Sequence, residues 1–269
     1  MKELSNRVAV ITGAASGIGR ATALSLARRG VDVVIADLNE ERMAEVAFEI
    51  EAAGRRSLAI RCDVSDIDDL TNLREQGVAA FGRVDIVMNN VGLLALGLPT
   101  DIPLQEWERT VTVNYLSVVR SMHIFVPMML ERGSGHIVNT ASTAGLIPYA
   151  FDRLPYASTK AAIINLSENL ALFAKPRGVG VTVYCPAGVQ TNIGEGMRFF
   201  GDHRDISSPD LPTIPAEEAG EQIAKAIEDD QLFVVSTPGA AELWQSLASD
   251  ADAYVNREIE VRARRVRDA

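Results

Sequence analysis

The stretch PYASTKAA carries a tyrosine, Tyr156, and a lysine, Lys160, four residues apart among small residues. Four residues is about one helical turn, so a phenol and an ammonium would leave the same helix face. Such a pair is either a solvated decoration or a base with a cation beside it. Free tyrosine, with a pKa of about 10, is too weakly acidic to serve as a base near neutrality. A cation within a few ångströms lowers that value by about 1–3 units. A second stretch, TGAASGIGRA, sets Gly13, Gly17 and Gly19 in the spacing G-x-x-x-G-x-G. Glycines so spaced permit a tight turn and let backbone amides approach a pyrophosphate at a helix N-terminus.

These groups need a scaffold, and the chain supplies an alternating one. β-Branched runs at 7–12, 32–37, 57–64, 84–92, 135–142 and 180–186 read as strands. Amphipathic stretches between them read as helices, the first two closed by Gly30 and Gly54, the others at 66–81, 103–131 (broken near Tyr115) and 156–175. Strands alternating with helices of this length imply βαβ units and a parallel sheet with helices on both faces. The glycine turn thus lies after a strand and before a helix, the context a dinucleotide site requires. No composition shift divides the chain, so 1–269 reads as a single domain. Over 189–215 the pattern fails, with Gly194, Gly196, Gly201, Pro209, Pro212 and Pro215. We read 190–215 as a substrate lid. A helix at 215–229, a strand at 231–236 and a helical C-terminal extension at 240–269 follow.

Asp37 ends the second strand. A carboxylate there can accept hydrogen bonds from a ribose diol and would repel a 2′-phosphate, and Ser16 offers no compensating charge. This favours NAD over NADP. The alternative is a plain turn residue before Asn39 caps a helix. Asp63, after the third strand, could meet the adenine edge with Val64 on its face, or could equally be a strand-end turn.

Bulk composition narrows the classes. A net charge of −10 argues against a nucleic-acid binder and against an anionic membrane surface. No stretch reads as a signal peptide or as a span of about 20 apolar residues. Two cysteines, Cys62 and Cys185, fit a reducing compartment as core residues, and the three histidines show no metal-ligand spacing. The expected setting is cytoplasmic, with no metal.

The motifs TGAASGIG, CDV, NNVG, VNYLS, IVNTAS, YASTK and CPAGVQT, in this order over residues 5–195, resemble the short-chain dehydrogenase/reductase family. The resemblance implies an α/β fold, a Rossmann-type doubly wound parallel sheet of about seven strands, and a nicotinamide cofactor. It also implies Ser142, Tyr156, Lys160 and Asn114 as catalytic residues. In this chemistry Tyr156 exchanges a proton with a carbinol, and Lys160 lowers the phenol pKa and holds the nicotinamide ribose. Ser142 stabilises the developing alkoxide. By family analogy Asn114 bends the long helix and holds a water that passes protons to the lysine. The resemblance also sets Ile18, Asn90, Val91, Gly92, Pro186, Val189 and Thr191 beside the dinucleotide, with Asn89 and Ile137 in supporting roles.

The chain departs from the family at CPAG, where Ala187 occupies a usual glycine position. It departs again at NNVG, where Val91 would narrow the cofactor floor. The C-terminus lacks the glycine-rich tail used in tetramer contacts, so the expectation is a homotetramer or a homodimer. Its arginines, Arg257, Arg262, Arg264, Arg265 and Arg267, read as a solvated helix or frayed tail, with an intersubunit contact as the alternative.

Three apolar loops flank the expected site. They carry Leu146, Tyr149 and Phe151, then Leu93, Leu94 and Leu96, then Met197, Phe199 and Phe200. With Ser142 and Tyr156 they suggest an apolar small-molecule substrate, an aryl or alicyclic secondary alcohol or its ketone. The competing readings are an oxoacyl-thioester reductase and a catalytically silent NAD-binding regulator.

Overall fold

In the computed structural model, which describes residues 1–204, 206–209 and 211–268, with side chains to residue 263, each buried run pairs in parallel with its neighbours. Strand β1 (Val8–Thr12) is wholly buried, because helices cover both of its faces. The strands that join it are β2 (Asp32–Asp37), β3 (Ser57–Arg61), β4 (Ile86–Asn89), β6 (Gly135–Thr140), β7 (Val179–Cys185) and β9 (Phe233–Val235). Their order, β3-β2-β1-β4-β6-β7-β9, makes one seven-stranded parallel sheet. Strand order reverses between β1 and β4, and a crevice opens outside the carboxyl ends of the strands at such a point. A short parallel pair, β5 (Ala95–Leu96) with β8 (Arg198–Phe199), stands apart from the main sheet.

On one face pack α1 (Gly17–Arg28), α2 (Glu40–Ala52) and α7 (Ala216–Asp229). Leu26, Met43, Ile50, Ile223 and Ile227 bury there against Ile11 and Ile35. On the other face pack α3 (Ile67–Phe81), α5 (Ser117–Arg132) and α6 (Leu154–Ala174), through Leu70, Leu73, Phe125, Met129 and Ala171. The fold is the single-domain, Rossmann-type α/β architecture that the alternating pattern implies.

Local outcomes differ from expectation in instructive ways. The third strand stops at Arg61, so Cys62, Asp63 and Val64 fall on a loop facing the crevice. The long helix is α4 (Leu104–Thr110), a π-helical segment (Val111–Leu116) and then α5, which puts the expected break around Asn114. By composition the continuous stretch Leu104–Arg132 is long and apolar enough to cross a membrane, contrary to the sequence reading. Part of that apolar surface is core: Phe125 and Met129 pack in the sheet-facing cluster.

The C-terminal stretch forms α8 (Ala240–Ser249) and α9 (Ala251–Asp268). It is not a frayed tail. Tyr254 is buried against Ala144, Ile147, Tyr149 and Ala150. Arg262 donates to the Tyr149 carbonyl at 3.2 Å, and its guanidinium lies 5.5 Å from the Phe151 ring centroid. The side chains of Arg264, Arg265 and Arg267 lie outside the described residues.

Candidate active site

The glycine turn shapes the floor of the crevice. Gly13 and Gly17 have φ of 65° and 52°, the left-handed region that a side chain resists. A Cβ on Gly19 would press on the Gly13 carbonyl oxygen and come within 2.8 Å of Asn90 Nδ2. Ser16 caps α1 without a side-chain hydrogen bond, so its hydroxyl is not committed to the helix terminus. Asp37 is fixed by three backbone amides: Ala15 N donates to Oδ2 at 3.1 Å, and Leu38 N and Asn39 N donate to Oδ1 at 2.8 and 3.1 Å. Close main-chain approach at the glycines and a fixed carboxylate beyond them fit the adenosine diphosphate moiety of a dinucleotide.

Three elements bring Tyr156, Lys160, Ser142 and Asn114 together. Helix α6 starts at Leu154 with Pro155 in its first turn, where a missing N–H costs nothing. It carries Tyr156 and Lys160 on one face, the ammonium 5.5 Å from the ring centroid. The end of β6 leads to Ser142, which caps a short 3₁₀ turn by accepting from Ala144 N at 3.1 Å. Lys160 is 2% exposed and donates to the Thr140 carbonyl at 2.6 Å. Asn114, on the π-helical segment, brackets Leu93: its Oδ1 accepts from Leu93 N at 2.9 Å and its Nδ2 donates to Leu93 O at 3.1 Å. A Cβ on Gly92 would lie 3.5 Å from Lys160 Nζ and 4.0 Å from Asn114 Oδ1, so a bare glycine separates the two.

The electrostatics of this cluster run opposite to what the helical spacing alone suggests. Desolvation pushes the Tyr156 phenol up to about 12, with a hydrogen bond to Ser142 and the charge of Arg153 pulling the other way. Burial pulls the Lys160 ammonium down to about 8. At neutral pH the protein alone therefore holds a neutral phenol beside a protonated but readily deprotonated amine.

One cavity of about 850 Å³ collects most of the expected residues. Gly13, Ser16, Gly17, Ile18, Asp37, Asp63, Val64, Asn90, Val91 and Gly92 line its first half. Ser142, Tyr149, Tyr156, Lys160, Pro186, Val189, Thr191 and Met197 line the rest. Gly19 and Asn114 stand behind the wall rather than in it.

Leu146 needs correction. It is packed in the core with Val183 and Ile163, because the 3₁₀ turn rotates it towards the sheet. Phe151, Phe199 and Phe200 also miss the wall. Phe151 lies against His203 at 6.0 Å between ring centroids, and Phe200 N pairs with Leu96 O at 2.7 Å, beside the β5–β8 pair. The expected Leu93, Leu94 and Leu96 do line the cavity. Sequence reasoning missed Arg42, Arg109, Arg153 and Glu195 in the wall. An Asp-Arg pair at 152–153, within an otherwise apolar loop before α6, was the available signal.

The short chain dehydrogenase family model matches residues 7–198. The chain belongs to the short-chain dehydrogenase/reductase family. Among curated relatives it is 36% identical over 197 residues to 3beta-hydroxysteroid dehydrogenase 2 of Eggerthella lenta, covering 72% of this chain and 75% of that one. It is 32% identical over 237 residues to cyclohexanol dehydrogenase of an Acinetobacter species, strain SE19, covering 87% and 93%. A short-chain dehydrogenase/reductase from Burkholderia phymatum, solved in complex with NAD, superposes with a TM-score of 0.83 at 29% identity, over 94% of this chain and 96% of that one. Members of the short-chain dehydrogenase/reductase family are oxidoreductases that take NAD or NADP and act on small molecules.

Proposed function

We propose that this short-chain dehydrogenase/reductase interconverts a cyclic secondary alcohol and its ketone, with NAD as hydride partner and Tyr156 as general acid and base. The observation that carries the reading is that Tyr156, Ser142 and Lys160 share a wall of the same cavity as the Gly13–Gly17 turn and Asp37. A silent regulator would have the phenol or the serine turned out of that cavity.

The Gly13–Gly17 turn and Asp37 would hold the dinucleotide, which would supply or accept the hydride. The chain's own groups handle the proton and the oxygen. Tyr156 receives the carbinol proton during oxidation and returns it during reduction. The Ser142 hydroxyl, 6% exposed, donates to the same oxygen as negative charge grows on it. Lys160, with a pKa of about 8, carries a positive charge at neutrality that favours the tyrosinate and can itself release a proton. Asn114 holds the Leu93 backbone in position opposite the lysine. The Asp37 carboxylate, already anchored by three amides, selects a ribose diol over a 2′-phosphate. The apolar wall of Leu93, Leu94, Leu96 and Met197 suits a ring-sized carbon skeleton. The printed names of two relatives, a cyclohexanol and a hydroxysteroid dehydrogenase, lean the same way.

The test is a panel of secondary alcohols with NAD⁺ and NADP⁺, and of ketones with NADH and NADPH, followed at the nicotinamide absorbance. Cyclohexanol-type alcohols with NAD⁺ are the expected substrates, and Tyr156→Phe should lose about 10²- to 10⁴-fold in turnover while still binding NADH. Preference for small hydroxy acids, or near-normal rates in the variant, would reject the reading.

A further inference from the structure

The cations lining the cavity carry information about substrate charge. Among the described residues these are Arg42, Arg109, Arg153 and Lys160. Each arginine is already paired with a carboxylate: Arg42 with Glu195 at 2.8 Å, Arg109 with Glu106 at 3.3 Å, and Arg153 with Asp152 at 3.1 Å. Glu106 is further held by Arg198 at 2.5 Å. Lys160 instead donates to the Thr140 carbonyl, within the catalytic cluster.

Arg153 lies three residues before Tyr156, at the start of α6, and is the arginine closest in sequence to the reacting groups. Its side chain is 9% exposed and its guanidinium sits 5.6 Å from the ring centroid of Tyr149, itself a cavity residue. A buried, unpaired guanidinium in that position would be a strong anion site. Asp152 prevents this. It is fully buried behind the wall and does not line the cavity. Both members of the pair also bind one residue of the lid: Asp152 Oδ2 accepts from Ser207 N at 2.5 Å, and Arg153 Nη2 donates to the Ser207 carbonyl. Nη1 and Nη2 each commit one N–H to these partners and Asp152 offsets the positive charge, so a substrate carboxylate would meet a guanidinium whose charge is already balanced.

We propose that Asp152 is a specificity-determining residue that acts through Arg153: by neutralising the guanidinium it makes the substrate half of the cavity admit uncharged ring alcohols and ketones and reject carboxylates. The inference rests on the proposed alcohol dehydrogenase reading and adds a charge requirement to it. Asp152→Asn keeps the shape and an oxygen for Ser207 N but releases Arg153 to bind an anion. Asp152 touches neither substrate nor cofactor, so its effect appears in selectivity rather than in the chemistry.

The experiment titrates the enzyme–NADH complex with cyclohexanecarboxamide and with cyclohexanecarboxylate, for the native protein and for Asp152→Asn. The native protein should bind the carboxamide at least about tenfold more tightly than the carboxylate, about 1.4 kcal/mol. In the variant that ratio should fall at least about tenfold, which loss of packing alone would not produce because both probes share one ring. Native affinity for the carboxylate equal to or above that for the carboxamide overturns the proposal, even if the variant does not fold. An unchanged ratio in a folded variant, with its native circular dichroism and melting transition, overturns it as well. Oxidation of cyclohexanol by the native protein with NAD⁺ is read separately. Its absence would sink the reading of function, whereas the binding ratio alone decides the role of Asp152.

Discussion

Lys160→Met should change how stability depends on pH in a way that can be calculated from the fold. The lysine is 2% exposed, and desolvation lowers its pKa from 10.5 to about 8. A basic group whose pKa falls on folding weakens the fold while it must be buried charged. The cost is complete below about pH 8 and vanishes above pH 10.5, where the unfolded chain is neutral too. At about 1.36 kcal/mol per unit, the shift from 10.5 to about 8 corresponds to about 3 kcal/mol. Methionine carries no such cost but leaves the Thr140 carbonyl without its 2.6 Å donor, a loss of about 1.5–3 kcal/mol that does not vary with pH in this window. Near pH 7 the two proteins should therefore differ little.

Between pH 7 and pH 10 the native protein should gain about 2–3 kcal/mol relative to the variant. Burial raises the Cys62 pKa with no contribution from Lys160, so the stability that thiol loses at alkaline pH is common to both proteins and cancels in the difference. Urea unfolding without cofactor at pH 7, 8.5 and 10, followed by Trp107 and Trp244 fluorescence, measures it. A difference that stays flat, or one that moves against the native protein as pH rises, would refute the argument that Lys160 is buried charged. On the proposed function such a cost has a counterpart: it leaves an amine whose pKa of about 8 is close to neutrality, where a proton relay is most effective.

Asp37→Ala should weaken NAD⁺ binding about 10- to 100-fold by removing a charged acceptor, and should narrow the discrimination against NADP⁺, both read from kcat/KM with each cofactor. Gly19→Ala should abolish dinucleotide binding and destabilise the fold by about 1–3 kcal/mol, because its methyl would press on the Gly13 carbonyl; calorimetric titration and thermal melting would report the two effects.

Much of the scaffold could be read from residue order, for a physical reason. A parallel sheet covered on both faces needs continuous β-branched runs such as Val8–Thr12, and the crossover helices need apolar stripes on one side only. The glycine turn and Asp37 were legible because a backbone approach and a carboxylate at a strand end are local features. The π-helical segment at Val111–Leu116 was not, since its extra residue per turn leaves no mark in hydrophobic spacing, although a break near Tyr115 was. Leu146 was misplaced because a 3₁₀ turn redirects its side chain, and composition carries no such direction. The Asp152–Arg153 pair was missed because adjacent charges between elements normally face solvent, whereas here the Ser207 backbone and the Tyr149 ring pack against them. The C-terminal helix was read as solvated because Tyr254 and Arg262 find their partners about a hundred residues earlier in the chain.

The proposed role of Tyr156 as general acid and base, in which the positive charge of oxidised nicotinamide would add to that of Lys160 and lower the phenol pKa, can be tested by titrating the phenol itself. Tyrosinate absorbance near 295 nm, taken as the difference between the native protein and Tyr156→Phe, should show no ionisation of Tyr156 below about pH 10 in the protein alone, since burial raises its pKa to about 12. With saturating NAD⁺ the same difference signal should appear several pH units lower. Ionisation unaffected by NAD⁺ would contradict the account.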